Sequence, residues 1–127
     1  MKLRLLIVDD EEDVELLFRQ RLRKMSRDGQ VELDFAFSGE QALDLLQQSA
    51  PPAITLILSD INMPGMSGFE LLEKVKRDYP GLKVMMISAY DDHEHEKKAR
   101  TLGADDFIPK PVDFKRLEER LHSLAEM

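Results

Sequence analysis

The sequence predicts an α/β fold in which a five-stranded parallel sheet carries helices on both faces. Along the 127 residues, apolar segments of strand length alternate with segments whose apolar residues recur every three or four positions, and this pair occurs five times. Two of the apolar segments, 53–58 and 82–87, are apolar at every position except Thr55 and Lys83, which is typical of strands buried on both faces. Regular alternation of strand and helix indicates a parallel sheet with right-handed crossovers.

The first half of the chain supplies two strands and two helices. Residues 3–8 are mostly aliphatic and predict the first strand, and residues 31–35 alternate between apolar and polar, as in a half-buried strand near the edge of a sheet. Ser38 and Gln41 form a capping box for the second helix, which ends at Pro51-Pro52. The first helix has its apolar face at Val14, Leu17, Phe18, Leu22 and Met25 and closes at Asp28-Gly29.

The second half continues the pattern with three strands and three helices. The central strand ends abruptly at Asp60, and Ser67 can cap the helix that follows its loop. The fourth strand covers 82–87, and a short fifth strand covers Asp106 to Pro109. Asp113 then caps the last helix, so the whole chain is accounted for by one domain, 1–127.

The fourth helix, 91–102, differs from the others because its first eight residues include no apolar side chain. Only Ala99 and Leu102 can anchor it, and Gly103 ends it. Helices are secured mainly by packing an apolar face, so we expect this one to have the lowest local stability. We also expect its histidines, His93 and His95, to be solvated.

Composition narrows the class of protein. Hydrophobic residues make up 43% and charged residues 34%, a balance typical of a globular domain in water. The net charge of −7 argues against direct nucleic acid binding, and no apolar segment is long enough to cross a membrane. Cysteine is absent, which agrees with a cytoplasmic location, and no signal peptide begins the sequence.

Polar residues whose side chains can bind a ligand or react follow the predicted strands at the point where each strand ends. They are Asp9, Asp10, Asp60, Ser88 and Lys110. A parallel sheet brings these ends to one edge, where α/β proteins bind their ligands. Clustered carboxylates repel unless a cation joins them, and oxygen ligands suit Mg²⁺. With a lysine and a hydroxyl nearby, the set predicts phosphoryl transfer with Asp60 as the nucleophile.

The same residues carry a resemblance to a known family. Asp9-Asp10 after a strand, Asp60 with Met63-Pro64-Gly65 and Gly68, Ser88-Ala89, and Lys110-Pro111 resemble the receiver domain of two-component response regulators. The resemblance extends from Lys2 to about Leu124. It implies a flavodoxin-like (βα)5 fold with strand order 2-1-3-4-5, and a signal transduction role in a phosphorelay rather than an enzyme that turns over a metabolite.

The resemblance also implies a role for each site residue. Asp60 would accept a phosphoryl group from a histidine kinase, a phosphotransfer protein or a small acyl phosphate. Mg²⁺ would be bound by Asp10, Asp60, the backbone carbonyl of Asn62 and, through water, Asp9. Ser88 and Lys110 would bind the phosphoryl oxygens, and the Lys110-Pro111 bond would be cis. The resemblance further implies that the signal would pass to an output domain or target protein. A homodimer through the fourth helix, fifth strand and fifth helix is also possible on this basis.

Two residues depart from the commonest family pattern without removing a function. Ser88 stands where threonine is frequent, and Phe107 stands where tyrosine is frequent. The pair would act as a switch, in which Ser88 moves toward the phosphoryl group and Phe107 turns inward. We expect the segment after Ser88, including the fourth helix, to be the movable element. Asn62 and Tyr90 would flank the path of the hydrolytic water and set the lifetime of the phosphorylated form.

Two other functions remain open. An aspartyl-nucleophile phosphatase could share the fold, but such enzymes typically carry an acid two residues after the nucleophile, where this chain has Asn62. A binding module that never uses phosphorylation is the second, and the complete set of five site residues argues against it.

Overall fold

The computed structural model describes residues 2–48, 53–88 and 93–125, and these residues form a single five-stranded parallel sheet. The strands are β1 (Leu3–Val8), β2 (Val31–Ala36), β3 (Leu56–Asp60), β4 (Lys83–Ser88) and β5 (Asp106–Pro109). Their order across the sheet is β2-β1-β3-β4-β5, and every neighbouring pair is parallel. The predicted fold class and strand order are therefore confirmed.

The described residues form six helices, one more than the sequence predicted. They are α1 (Asp13–Arg21), α2 (Arg23–Arg27), α3 (Gly39–Gln47), α4 (Gly68–Asp78), α5 (His93–Thr101) and α6 (Phe114–Ala125). The predicted first helix is interrupted at Leu22, whose backbone (φ −102°, ψ 14°) leaves the helical region. The side chain of Leu22 is fully buried, so the interruption still delivers its apolar group to the core.

The core has two layers, one on each face of the sheet. One layer joins the sheet to α3, α4 and α5 through residues such as Leu46, Leu72 and Ala99. The other joins it to α1, α2 and α6 through residues such as Phe18 and Leu121. The apolar periodicity of the helices thus selects the residues that cover both faces, as expected.

The central strand β3 is buried along its whole length and begins at Leu56, three residues later than its apolar run suggested. It ends at Asp60, as predicted. Among the described residues, the buried polar side chains are Asp9, Ser59, Asp60 and Ser88. Since burying polar groups is costly, their concentration at one end of the sheet marks the place where function outweighs stability.

The predicted helix ends are largely confirmed. Ser38 accepts a hydrogen bond from the Gln41 N–H, and Ser67 and Asp113 cap α4 and α6 in the same way. Gln41 departs from a standard capping box, because its side chain accepts from the N–H of Phe37, at 2.6 Å, one residue before the cap. Gly103 follows α5 with φ 103°, which suits a residue without a side chain.

Helix α5 has few apolar anchors, as the sequence predicted, and it also packs against an aromatic ring of α4. Ala99 is its only buried residue, and the ring of Phe69 on α4 supplies further contacts. His95 meets that ring edge to face with centroids 5.7 Å apart, and the Lys98 ammonium lies 4.5 Å from its centroid. The prediction that His95 is solvated is wrong, because this contact leaves it half-buried.

The apolar face predicted for the first helix was too wide. Phe18, Leu22 and Met25 are buried, but Leu17 is 41% exposed and lines a hollow between α1 and α6. Among the described residues, no helix combines the length and the apolar character that crossing a membrane would need.

Candidate phosphoryl-transfer site

The carboxyl edge of the sheet assembles the side chains that sequence analysis singled out. Asp9 follows β1, Asp60 ends β3, Ser88 ends β4 and Lys110 follows β5. The parallel register explains this, since Val8 pairs with Ser59, and Ser88 lies beside Pro109. Each site residue is therefore positioned by a strand end and held by the sheet, not by a free loop.

Asp9 has two roles at the end of β1. Its Oδ1 accepts a hydrogen bond of 3.0 Å from the N–H of Glu11, which stabilises the turn into α1. Its Oδ2 faces the site and lies 3.5 Å from the ammonium nitrogen of Lys110. The carboxylate is thus fixed by the turn on one side and directed toward the site on the other.

Asp60 is buried, with 7% of its surface exposed. Its Oδ1 accepts a hydrogen bond of 2.9 Å from the N–H of Ile61 and lies 3.4 Å from the ammonium of Lys110. Burial raises the pKa of Asp60, and the charge of Asp9 raises it further, while Lys110 and the Ile61 N–H oppose the rise. The net pKa is above the ordinary value, because the effect of burial outweighs the attraction of Lys110.

Lys110 is held in place through its own backbone. Its N–H donates to the carbonyl of Ser88 at 2.7 Å, and its peptide bond to Pro111 is cis, as the resemblance implied. Burial lowers the pKa of Lys110, but Asp60 and Asp9 raise it by more, so the net pKa lies above the usual value. The side chain therefore stays a cation and spans the two carboxylates.

The donor set at this edge fits a divalent cation. One carboxylate oxygen from each of Asp9, Asp10 and Asp60 lies within 4.8 Å of the other two. All three are hard oxygen donors, and two of them are buried. Asp10 is exposed at the rim, where a hydrated ion such as Mg²⁺ could keep several waters.

The loop after Asp60 is held against the strand it leaves. The N–H of Gly68 donates to the carbonyl of Ile61 at 2.8 Å. A Cβ at position 68 would lie 2.2 Å from the Asp60 carbonyl oxygen, so only glycine permits this approach. Asn62, the expected source of a carbonyl ligand, is exposed within this closed loop.

The two residues expected to act as a switch lie on neighbouring strands. Ser88 is fully buried, and Phe107 is turned into the layer that contains Met86 and Ala99, with 6% exposed. Phe107 pairs with Met86 in the register of β4 and β5, two residues before Ser88. Tyr90, expected to influence the lifetime of the phosphorylated form, lies outside the described residues.

Sequence reasoning missed the residues of α3 that touch the loop after Asp60. Gly39 lies against the side chain of Met66, and Glu40 accepts a hydrogen bond from the Met66 N–H. Because 26 residues separate Glu40 from Met66, no local pattern could have linked them. The one available signal was a glycine in the first turn of a helix, where it weakens the helix unless space is needed.

Comparison with known proteins supports the same assignment. The profile of the response regulator receiver domain matches residues 5–122. A receiver domain protein, CheY-like, from Methanospirillum hungatei superimposes with a TM-score of 0.85 at 30% identity, covering 99% of this chain and 95% of that one. A putative response regulator from Chloroflexus aurantiacus gives the same TM-score at 26% identity, covering 100% of both chains.

In two curated relatives, the segment that matches this chain is only part of a longer protein. Response regulator MprA of Mycolicibacterium vanbaalenii is 30% identical over 124 residues, which are 98% of this chain and 51% of that protein. A cyclic di-GMP phosphodiesterase of Thermotoga maritima is 37% identical over 120 residues, which are 94% of this chain but 30% of that protein. The chain belongs to the response regulator receiver domain family.

Proposed function

We propose that this chain is a phosphorylation-dependent signalling switch whose phosphoacceptor is Asp60. The observation that carries the proposal is the arrangement around that carboxylate. Asp60 is buried at the end of the central strand, its oxygen lies 3.4 Å from the Lys110 ammonium, and oxygens of Asp9 and Asp10 lie within 4.8 Å. This arrangement suits a nucleophile that attacks a negatively charged group.

The residues proposed to hold Mg²⁺ are Asp10, Asp60, the backbone carbonyl of Asn62 and, through water, Asp9. Bound Mg²⁺ would supply positive charge to the phosphoryl oxygens and to the carboxylates. The chain's own contribution is to fix these oxygens before the metal arrives. Two features serve this purpose: the Asp9 turn and the close contact of Gly68 with Asp60.

In the proposed reaction, a carboxylate oxygen of Asp60 forms a bond to phosphorus while the bond from phosphorus to the donor breaks. The bonding electrons leave with the donor, which is a histidine nitrogen of a kinase or phosphotransfer protein, or the carboxylate of a small acyl phosphate. Lys110 would bind one transferred oxygen and the Ser88 hydroxyl another. Positioned charge is the main source of rate enhancement in such transfers.

Mass spectrometry after incubation with acetyl phosphate and Mg²⁺ tests the proposal. The intact chain should gain one phosphoryl group, and the Asp60→Asn variant should gain none. Asp44→Asn, which alters an exposed acid on α3, is the matched control and should be modified like the wild type. Equal modification of wild type and Asp60→Asn would overturn the assignment.

Catalysis on an external substrate is the main alternative. The name phosphodiesterase belongs to a relative of which this chain matches 30%, so that activity is not carried over to this chain. A phosphatase of similar fold would need a proton donor near Asp60, and Asn62 cannot act as one. A colorimetric phosphatase assay should therefore show no turnover beyond loss of the chain's own phosphoryl group.

The third possibility, a binding module independent of phosphorylation, leaves the buried carboxylates unexplained. Such a module would gain nothing from keeping Asp9 and Asp60 buried beside each other at a cost in stability. We therefore favour a partner that is a sensor histidine kinase or phosphotransfer protein on the input side, and an output domain or target protein on the other. A cytoplasmic location follows from this role and stays a prediction.

We propose that the phosphorylated state is transmitted to the face formed by α5, β5 and α6, through Ser88 and Phe107. Two features support this: Ser88 and Phe107 lie on adjacent strands, and α5 has one buried anchor, Ala99. A homodimer through this face is one way to transmit the signal.

The lifetime proposal rests on sequence position alone. Tyr90 and Asn62 each lie two residues past a site residue, where they could shield or orient the hydrolytic water. Tyr90→Ala should change the rate of autodephosphorylation more than the affinity for Mg²⁺. Phosphoryl loss followed by mass spectrometry, compared with Mg²⁺ titration, distinguishes the two effects; the reverse order would contradict the assignment.

A further inference from the structure

We infer that Gly39 and Glu40, at the start of α3, are positioning residues for the Mg²⁺ site, acting through Met66 on the loop that carries Asn62. We call the contact among Gly39, Glu40 and Met66 the α3 latch. The inference rests on the proposed function, since it assigns a role toward the metal to residues that do not themselves contact the carboxylate cluster.

The first half of the latch is the close contact between Gly39 and the side chain of Met66. A Cβ on Gly39 would lie 2.7 Å from the sulfur of Met66, 3.0 Å from its Cγ and 3.1 Å from its Cβ. The tip of the methionine side chain could swing away, but its Cβ moves only with the backbone of the loop. Met66 is half-buried and Gly39 is buried, so the loop lies directly on α3.

The second half is a hydrogen bond at the tip of the loop. The Glu40 Oε1 accepts from the Met66 N–H at 3.3 Å, and the same oxygen lies beside Gly65. Gly65 has φ 73°, so the chain turns sharply just where Glu40 meets it. The carboxylate therefore holds the turn by its backbone rather than by a side chain.

The loop is thus fixed at two places. Gly68 holds its far end against the Asp60 carbonyl, and the α3 latch holds its tip. Asn62 lies between Asp60 and the tip, exposed, with a carbonyl that must point steadily toward a cation if it is to be a ligand. Groups that orient ligands without touching the metal commonly change its affinity.

The α3 end of the latch is itself rigid. Ser38 caps α3 by accepting from the Gln41 N–H at 3.0 Å, and Gln41 reaches back to the Phe37 N–H at 2.6 Å. Ala36, at the end of β2, accepts from the Asp9 N–H at 3.1 Å. The strand that leads into α3 is therefore tied to a residue of the carboxylate cluster, and the latch closes a ring of contacts around the site.

The test measures Mg²⁺ affinity by calorimetric titration and amide hydrogen exchange of residues 61–67 in the metal-free protein. Glu40→Ala and Gly39→Ala should each weaken Mg²⁺ binding by about tenfold and speed exchange in the loop. Glu40→Gln keeps an oxygen acceptor without the charge and should resemble the wild type. If Glu40→Gln weakens binding as much as Glu40→Ala, long-range charge explains the effect and the positioning role is wrong.

Two further variants separate positioning from general destabilisation. Gly81→Ala is the matched control, because a Cβ there meets nothing within 4 Å, and it should leave both measurements unchanged. In the Met66→Ala background, Gly39→Ala should cost little, because the space has been restored. If the wild type binds Mg²⁺ and both Glu40→Ala and Gly39→Ala keep its affinity and its rate of loop exchange, the latch alone is overturned. If the wild type does not bind Mg²⁺, the proposed function is overturned.

Discussion

Asp60 is a carboxylate that is both buried and close to a second negative charge, and both conditions disfavour its ionised form in the metal-free protein. It is buried and lies beside Asp9, so its pKa is raised even though Lys110 is close. A raised pKa in the folded state means that the folded chain binds this proton more tightly than the unfolded chain. Its contribution to stability is therefore present at low pH and lost as pH rises through the folded pKa.

Asp60→Asn should consequently raise the free energy of unfolding of the metal-free protein at neutral pH, because the unfavourable charge is removed. Mg²⁺ should stabilise the wild type by about 2.7 kcal/mol at one hundred times its Kd, which is about 10 °C in Tm for a chain of this size. The variant should gain much less. Calorimetric melts with Mg²⁺ and with a chelator provide the measurement.

Asp44→Asn serves as the control for charge, since it removes an exposed acid from α3. It should respond to Mg²⁺ as the wild type does. A metal-free Asp60→Asn variant less stable than the wild type would contradict this account of the site.

Asp105, just before the amino end of β5, has a pKa that is shifted in the opposite direction. Its Oδ2 accepts from the Lys76 ammonium and from the Val84 N–H, both at 2.8 Å. Burial raises the pKa of Asp105, but these two donors lower it by more, so the net pKa is below the ordinary value. This contribution to stability is present above the unfolded pKa and is lost as pH falls through the folded pKa.

Asp105→Asn should therefore cost about 1 kcal/mol at neutral pH, a figure discounted because the pair is partly exposed, and almost nothing in strong acid. Urea unfolding across the acid range measures the difference. In a Lys76→Met background the same substitution should cost less, because the charge partner is gone. A cost independent of pH would show that the hydrogen bond to Val84, rather than the ion pair, stabilises this corner.

At the scale of elements, predictions from the sequence succeeded where an element's boundary depends on residues close to it in the chain. The strand ends at Asp60 and Pro109 and the caps at Ser67 and Asp113 follow from local pattern and capping chemistry. The exposure of Leu17 could not be predicted in this way, because periodicity identifies an apolar face but not how far neighbouring helices cover it.

Helix α5 illustrates the same limit of prediction from sequence. Its residue pattern showed that it has few aliphatic anchors, but it did not show which contacts from other helices hold it. Phe69 on α4 receives the ring of His95 and the ammonium of Lys98, contacts that join residues from two helices. Aromatic and cationic contacts of this kind stabilise by about 0.5–1.5 kcal/mol each. The attachment of α5 to α4 thus depends heavily on one ring.

Phe69→Ala should lower the free energy of unfolding by about 2 kcal/mol, a value reduced from that of a fully buried ring, and should speed hydrogen exchange in α5 more than in α4. Phe69→Leu keeps most of the apolar volume without the aromatic face. It should retain most of the global stability and still loosen α5. Unchanged exchange in α5 with a large global loss would show that the ring supports α4 instead.

The same experiment extends to the proposed switch. A phosphoryl mimic bound with Mg²⁺ should alter exchange in α5 of the wild type if this helix is the movable element. Equally high protection of α5 with and without the mimic would contradict that role.

At the scale of the whole molecule, the site was predictable because topology does most of the assembly. Once the sheet is parallel, strand ends separated by about a hundred residues, such as Asp9 and Lys110, must meet at one edge. Contacts between loops and helices far apart in sequence were not predictable. The α3 latch and the pairing of Lys76 with Asp105 depend on backbone positions that only the folded chain defines.

The face formed by α5, β5 and α6 has the charge pattern of a surface that could pair with itself. A groove of about 410 Å³ there is lined by three acids and three arginines, namely Glu96, Asp106, Asp113, Arg100, Arg116 and Arg120. A two-fold dimer brings the same surface together from both copies, so opposite charges can pair across it in addition to the ion pairs within each copy. Phe107 also lines this groove, which connects it to the layer around Ser88.

We therefore expect the phosphoryl mimic to promote a dimer through this face, with an affinity that falls as salt increases. Arg100 and Arg120 already pair with acids of their own chain, Glu96 and Asp106, so Arg116 is the arginine to reverse. Arg116→Glu should weaken the dimer by about tenfold, and Arg23→Glu, on α2 beside the distant edge strand β2, should not. Sedimentation velocity at low and high salt measures both, and a monomer under every condition would require the signal to pass to a different partner.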